Sequence, residues 1–348
     1  MYPSNSHPSY GTFVETFYNE LARNCKKIRL VKITKSKKKI FHLYKYIFYC
    51  FEVFSLRNVM SGNTVVAQYG LHTLIPLLII QKKFKLIINF HGGDINQVDF
   101  LSRFMRRLLV PVWKSADGFI FPSYEFMTMA LEKYPVLKGT PTCINYSLAY
   151  DPCLLEIPLI DYSEEFDFGF VSRIDAGKGW LTFLEAAQLL LLDNPSATFC
   201  IWGTGNDTKK LQEELIKRDL SKNVFYRGGF STSDTLAVYR SFRTMVFASE
   251  LPESLGLVGL EAMAAGRHIV ASDHSSIREY LGEFSKYCFQ PGSRHQLLCQ
   301  LRAALDIKTV DLRVLSQRSR NRALVYSREA CTKYTASFIE EIDIKCSF

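Results

Sequence analysis

The chain has 348 residues, enough for two domains with separate cores, and at 47% apolar and 22% charged it has the composition of a globular protein. No N-terminal basic stretch leads into an apolar run with a small-residue cleavage site, so export is not expected, and nine scattered cysteines without a Cys-x-x-Cys spacing exclude a disulfide framework or a zinc site and fit reduced thiols in a cytoplasm. The net charge of +9 is unevenly placed: residues 1–150 hold 20 Lys/Arg against 8 Asp/Glu, whereas residues 151–348 carry a net charge of −3.

A helix is predicted over 12–24. A basic run follows, Lys26-Lys27, Arg29, Lys32, Lys35 and Lys37-Lys38-Lys39, and it leads into an aromatic-rich helix over 40–56. On that helix His42, Lys45, Tyr49 and Glu52 make a narrow polar stripe, and the charges at Lys45 and Glu52 make it a poor membrane span. A polybasic flank beside such a helix predicts docking on an anionic membrane surface, each nearby cation contributing roughly 1 kcal/mol. The other reading of the segment is a helix buried against its own sheet. Nucleic acid is not expected, since no helix-turn-helix, zinc-finger spacing or ribonucleoprotein motif accompanies the charge.

Strand-like runs over 28–33, 63–69, 85–90, 117–121 and 140–145 alternate with helical patterns over 71–81, 100–113 and 125–133. Residues 151–163, with Pro152 and Pro158, form the expected linker. The alternation then restarts. Strands are predicted over 166–172, 198–202, 223–227, 243–248, 268–272 and 287–289, and helices over 180–193, 208–218, 233–241, 257–265, 277–281, 294–305 and from 310 onward. This predicts two successive doubly wound α/β domains, 1–155 and 156–325, with ligands held in a cleft at the carboxyl ends of their strands. No Gly-x-Gly-x-x-Gly follows the first strand of either half, which argues against a nicotinamide dehydrogenase, and no Walker motif occurs.

Two stretches of the second half carry chemistry. Ser249-Glu-Leu-Pro-Glu-Ser-Leu-Gly-Leu-Val-Gly-Leu-Glu-Ala-Met-Ala-Ala-Gly266 passes from a loop into a helix, with Glu253 before the helix and Glu261 inside it. Backbone N–H groups at Gly256, Leu257 and Val258 would stand at the helix start, where unsatisfied donors and the helix dipole favour an anion. Earlier, Gly169-Phe-Val-Ser-Arg-Ile-Asp-Ala-Gly-Lys-Gly-Trp180 places Arg173 and Lys178 on a loop after a strand, two cations matched to a diphosphate. Each stretch alone has a plain reading, a solvated pair of cations or two surface glutamates. Together they fall at strand ends on one edge of a sheet.

With these residues the chain resembles the retaining glycosyltransferases of the GT-B fold, family 4, which include sucrose synthase and bacterial polysaccharide mannosyl- and glucosyltransferases. The matching positions are Arg173, Lys178-Gly179, Glu253, Gly256, Leu257, Glu261-Ala-Met-Ala and Gly266, while Ser254-Leu255 replaces the usual Gly-Phe beside the sugar. The resemblance implies that Arg173 and Lys178 bind the donor diphosphate together with the amides of Gly256 to Val258. It puts Glu261 on the ribose and Glu253 on the donor sugar. Gly203-Thr204-Gly205 and Arg227-Gly-Gly-Phe230 fall where the family lines its base pocket. The loop 1–14 resembles the family's N-terminal loop, with Gly11 as the glycine that admits the donor phosphates. His91-Gly-Gly-Asp94 matches the family's His-Gly-x-Asp, with His91 beside the transferred sugar and Asp94 orienting the loop or meeting an acceptor hydroxyl. Asn145-Tyr-Ser-Leu-Ala149 departs from the family's Pro-Asn-Gly-Val-Asp. Residues 326–348 resemble the closing helix that returns to the N-terminal domain.

The implied activity is transfer of a hexose from a UDP- or GDP-sugar, with retention, to a glycan acceptor carried on a polyprenyl diphosphate. The setting would be surface polysaccharide assembly, of the lipopolysaccharide or O-antigen kind, at the inner face of the cytoplasmic membrane. No Asp-x-Asp occurs, and the cations and helix terminus suffice for the diphosphate, so neither metal nor cofactor is expected. Two alternatives use the same fold: a catalytically silent sugar-nucleotide-binding subunit and a sugar-nucleotide 2-epimerase.

Overall fold

In the computed structural model, described for residues 2, 11–24, 28–34, 39–97, 99–148, 150–160 and 164–344, the chain divides into two units. One comprises Met1–Leu148 with Glu329–Phe348, the other Ala149–Arg328.

In the first unit, helices α1 (Thr12–Asn24), α2 (Lys39–Ser55) and α3 (Arg57–Met60) precede strand β1 (Thr64–Gln68). A 3-10 turn over His72–Leu78 leads to β2 (Lys85–Asn89). Then come α4 (Gly93–Asn96), α5 (Phe100–Lys114), β3 (Gly118–Phe121), α6 (Tyr124–Lys133) and β4 (Thr142–Ile144). The predicted helix over 71–81 is the 3-10 turn, because Pro76 lies inside it and supplies no N–H to an α ladder. All four strands are parallel and lie in the order β1-β2-β3-β4. The reversal of order that double winding requires is therefore not found among the described strands of this unit. The expected first strand over 28–33 makes no ladder; Ile28, Arg29 and Lys32 are exposed, and Thr34 forms one isolated bridge to Tyr2.

Side chains alternate across this sheet. Leu86, Ile88, Phe90, Phe119 and Phe121 join a core with Leu74 of the 3-10 turn, Leu109 and Trp113 of α5, and Val53 of α2. The other face receives α14 (Arg328–Ile344): a Cβ on Gly118 would stand 2.3 Å from Ile342 Cδ1. Of the basic flank before α2, residues 25–27 and 35–38 lie outside the described residues, as do most of the N-terminal loop and the side chains of 39–43, His42 included. No described helix is long and apolar enough to cross a membrane.

The second unit runs β5 (Phe166–Val171), α7 (Trp180–Asp193), β6 (Phe199–Trp202), α8 (Thr208–Lys217), β7 (Val224–Gly228), α9 (Thr235–Arg240), β8 (Phe242–Phe247), α10 (Leu257–Ala264), β9 (His268–Ser272), α11 (Ser275–Leu281), β10 (Cys288–Phe289), α12 (Arg294–Leu305) and α13 (Thr309–Leu324). The helical stretch expected from 310 onward comprises α13 and α14, the latter within the closing segment 326–348. The six strands are parallel, ordered β10-β9-β8-β5-β6-β7. Phe168, Phe170, Phe183, Phe199 and Ile201 fill the core between the sheet and α7. The segment expected as a linker is packed into this unit: Leu154, Ile157 and Ile160 are buried, and the buried Arg267 guanidinium pairs with Glu164 at 2.9 Å and donates to Pro158 O. Residues 161–163 lie outside the described residues.

Candidate active site

The order of the second sheet reverses between β5 and β8. From β5 the chain builds outward through β6 and β7, then returns beside β5 as β8 and builds the other way. At such a reversal successive crossovers leave on opposite faces, and a crevice opens at the carboxyl ends of the two strands. The loops that leave β5 and β8 there are the two stretches singled out by sequence.

These loops are laced together. The Glu250 amide donates to Gly177 O at 2.8 Å, and the Thr182 hydroxyl donates to Glu250 Oε1 at 2.6 Å. Gly179 caps the start of α7 with φ +78°, and a Cβ there would lie 1.7 Å from Ala248 O, so no other residue lets the loops approach this closely. Lys178, beside it, reaches across to Glu253: Nζ stands 2.7 Å from Oε1. The Ser249 hydroxyl donates to the same oxygen at 2.7 Å, and Ser276 of α11 donates to Glu253 O at 2.7 Å. Glu253 is thereby held from three elements. Arg173 is free of the core, its side chain 73% exposed, with Nη1 2.7 Å from Asp175 Oδ2; the other Asp175 oxygen accepts from the Asn206 amide at 2.8 Å.

Gly256 opens α10 in the left-handed region, φ +81°, and no side chain caps the helix start. Leu257 and Val258 form its first turn, and the Tyr280 hydroxyl donates to Gly256 O at 3.1 Å. Inside the helix Glu261 accepts from the Tyr239 hydroxyl at 2.5 Å. Burial raises the Glu261 carboxyl above the usual range, opposed by that hydrogen bond. Of the pair that replaces Gly-Phe, Leu255 is buried and Ser254 is partly exposed.

Beyond β6, Tyr226 donates to Gly203 O at 2.9 Å, and the buried Trp202 indole N–H finds no partner among the described residues, with Phe230 edge-on at 6.2 Å. Arg227 does not join this group. Its guanidinium pairs with Glu165 and lies 5.1 Å from the centre of the Phe166 ring, at the start of β5 and not at its carboxyl end.

In the first unit, Asp94 is fully buried. One oxygen accepts from the Gly70 amide at 2.9 Å and the other from the Gly92 amide at 3.0 Å, while the His91 amide lies 3.1 Å from both. Its carboxylate is spent on the loop, and burial still pushes it up to about 6. Arg106 of α5 donates to Asp94 O at 3.1 Å and to Gln97 O. His91 Nε2 lies 2.8 Å from Gln68 Oε1, which also accepts from Asn89 at 2.9 Å. An amide oxygen only accepts, so Nε2 carries the proton and Nδ1 keeps its lone pair. Burial pushes His91 down to about 3, so the ring is neutral. The Phe13 ring of α1 lies 4.4 Å away, and Gly11, φ +78°, accepts from the Val14 amide at 3.0 Å, which brings the start of α1 beside His91.

Ser276, Tyr239, Gln68 and Arg106, which hold these groups, carry no signal in the sequence, because each acts on a partner outside its own motif; Ser249 lies within the singled-out stretch but has no role assigned to it there. Among the described residues no cluster of acidic, cysteine or histidine side chains could hold a metal.

Residues 159–322 match the family model described as Glycosyl transferases group 1. The chain is 27% identical over 151 residues to the poly(glycerol-phosphate) alpha-glucosyltransferase of Bacillus subtilis (strain 168), covering 41% of this chain and 21% of that protein. It is 30% identical over 105 residues to the poly(ribitol-phosphate) alpha-N-acetylglucosaminyltransferase of Staphylococcus aureus (strain COL), covering 30% of this chain and 21% of that protein. The matches thus span about a fifth of the length of these relatives. Among solved structures, Anabaena Alr3699/HepE in complex with UDP superposes with a TM-score of 0.69 at 17% identity, over 84% of this chain and 82% of that one. The reversal at β5 and β8, the residues gathered there and these likenesses agree: residues 159–322 are similar to the glycosyl transferases group 1, and the chain has the fold of the GT-B glycosyltransferases.

Proposed function

We propose that the chain transfers a hexose from a UDP-sugar to a hydroxyl of a glycan or polyol-phosphate polymer, with the anomeric configuration retained. The observation that carries this is the Lys178–Glu253 pair, a cation and a carboxylate 2.7 Å apart at the sheet reversal, next to the uncapped start of α10. Arg173, Lys178 and the amides of Gly256 to Val258 take the diphosphate. Glu261 takes the ribose and Glu253 the sugar. His91 is assigned to the transferred sugar on the family resemblance. The bond from C1 to the phosphate oxygen breaks as the acceptor oxygen bonds to C1, and the acceptor proton passes to the leaving phosphate. Cations and helix donors supply the charge stabilisation, so no metal takes part.

A UDP donor is supported by the UDP in the superposed structure, and a polymeric phosphate acceptor by the activities named for the two relatives. The acceptor is lipid-linked and presented at the anionic cytoplasmic face of the membrane, a reading supported by the basic first half of the chain.

The test is nucleotide release with UDP-glucose, UDP-N-acetylglucosamine and GDP-mannose, with and without poly(glycerol phosphate) or a polyprenyl-diphosphate glycan. Acceptor-dependent UDP release is expected. No release with any donor, or conversion of the sugar without release, refutes transfer.

A further inference from the structure

Helix α2 lies with its polar stripe turned inward. Lys45 donates to Thr34 O at 3.1 Å, and the Tyr49 hydroxyl donates to Thr73 O at 2.9 Å. The opposite side carries Tyr44, Ile47, Phe48 and Phe51, at helical spacing, and all four are exposed; Phe51 is 69% exposed. A helix whose neighbour on that side is water would not be arranged this way, because burying those four rings and chains is worth far more than burying Lys45 and Tyr49.

Helix α5 repeats the arrangement. Its inner side, Leu109, Val112 and Trp113, enters the core, while Phe100, Leu101, Phe104 and Leu108 point outward, Phe100 with 81% exposure. Both helices pack on the 3-10 turn His72–Leu78, and Ile79, which ends that turn, is 76% exposed. The two stripes and Ile79 therefore belong to one side of the sheet. Charge distinguishes this patch from one made for an apolar protein partner. Arg103 and Arg107 flank the α5 stripe, exposed and without an ion pair among the described residues, and Lys114 is exposed at the end of the helix. α5 carries no acidic side chain of its own. Aromatic and aliphatic side chains rimmed by Arg and Lys are the makeup of a helix that lies in the headgroup layer of an anionic bilayer.

We infer that the outward face of α2 and α5 is the surface on which the chain lies on an anionic bilayer, with α5 as the second contact beside the aromatic helix. This rests on the membrane reading above and deepens it. The inner side of α5 supplies Arg106 to the loop of His91 and Asp94, so the helix that meets the lipid also holds the loop assigned to the transferred sugar. A lipid-linked acceptor would arrive at that loop from the plane in which α5 lies.

The experiment is co-sedimentation of the full chain with vesicles of equimolar phosphatidylglycerol and phosphatidylcholine, against vesicles of phosphatidylcholine alone. Binding is expected to the first and to be weakened by salt. Phe104→Ser with Leu108→Ser, or Arg103→Glu with Arg107→Glu, is expected to lower the bound fraction about tenfold. UDP release with a water-soluble acceptor should stay unchanged, which separates a failure of docking from a failure of transfer. In a Phe104→Trp chain, emission should shift to the blue on adding anionic vesicles. A chain left in the supernatant, variants that bind like the parent, or an unshifted emission would overturn the inference. So would light scattering that shows a dimer dissociated by the Phe104 and Leu108 changes, since a second copy would then occupy this face.

Discussion

Lys178 and Glu253 are bound to each other across the two loops at the sheet reversal, Nζ to Oε1 at 2.7 Å, and neither side chain is more than one-fifth exposed. The cation assigned to the diphosphate is thus placed before any donor arrives, by the same carboxylate that is assigned to the sugar.

Replacing Lys178 by Ala should lower kcat about 10²–10³-fold, the range for loss of one preorganised charge at a developing anion. Glu253→Gln, which keeps the shape and removes the charge, should also slow transfer while the melting temperature moves little. Initial rates of UDP release and a thermal melt check both, and near-normal turnover in either variant would refute the assignment. Chelation with EDTA should leave the parent rate unchanged.

Tyr239→Phe removes the hydroxyl that donates to Glu261. The carboxyl then loses the hydrogen bond that favours its charged form, and burial pushes it further up. With Glu261 assigned to the ribose in the proposed function, KM for the donor should rise about tenfold with a smaller effect on kcat. Steady-state kinetics over a donor series separates the two.

Much of this was legible in the sequence. Helices Trp180–Asp193 and Arg294–Leu305 and strand His268–Ser272 fall where periodicity and flanking turn residues place them. Arg173, Lys178 and Glu253 lie on the loops that follow β5 and β8, and Glu261 lies in the helix that the second loop enters, so all four follow neighbouring strands, as alternation of strands and helices implies. Strand order was not legible, because alternation fixes parallel pairing and not which strands are neighbours; the contact of β5 with β8 is a tertiary fact. The orientation of α2 was not legible either. Its polar stripe could have faced water, and carbonyls of Thr34 and Thr73, which the pattern of the helix does not contain, decided otherwise.

Two glycines separate backbone strain from crowding. Gly139 has φ +85° with open space where a Cβ would sit, so Gly139→Ala should cost only the left-handed penalty, about 1–2 kcal/mol. Gly179, at φ +78°, would drive a Cβ into Ala248 O, a backbone atom that has no rotamer to escape to. Gly179→Ala should therefore destabilise several-fold more and abolish donor binding, read by denaturant melts and UDP affinity. Equal losses at the two positions would refute the lacing of the loops.

Burial holds His72 at about 4, against about 6.5 in the unfolded chain. A depressed histidine contributes stability that is complete above pH 6.5 and is lost as pH falls toward 4, because the unfolded chain takes up the proton first. The His72 ring meets Tyr46 edge-on and lies 4.8 Å from Tyr69, and its Nε2 has no partner among the described residues. His72→Phe keeps the ring contacts and removes the titration. Near pH 8 it should change stability little, and at pH 5 it should stabilise by on the order of 2 kcal/mol. His91 and His268 depress in the same sense, while Asp94, raised to about 6, works oppositely, so the comparison is made between parent and variant at each pH and not on the parent alone.

Helix α14 covers the side of the first sheet where Gly118 admits Phe338 and Ile342, although it is encoded after the entire second unit. On the ribosome the usual sequence is therefore inverted. The second unit has all its strands and helices once Arg328 has emerged, whereas the first still lacks the helix that packs on its sheet at Gly118. For most of its synthesis the nascent chain carries its earliest strands without this cover, and apolar surface left open in that way is what makes a partly made chain prone to aggregate.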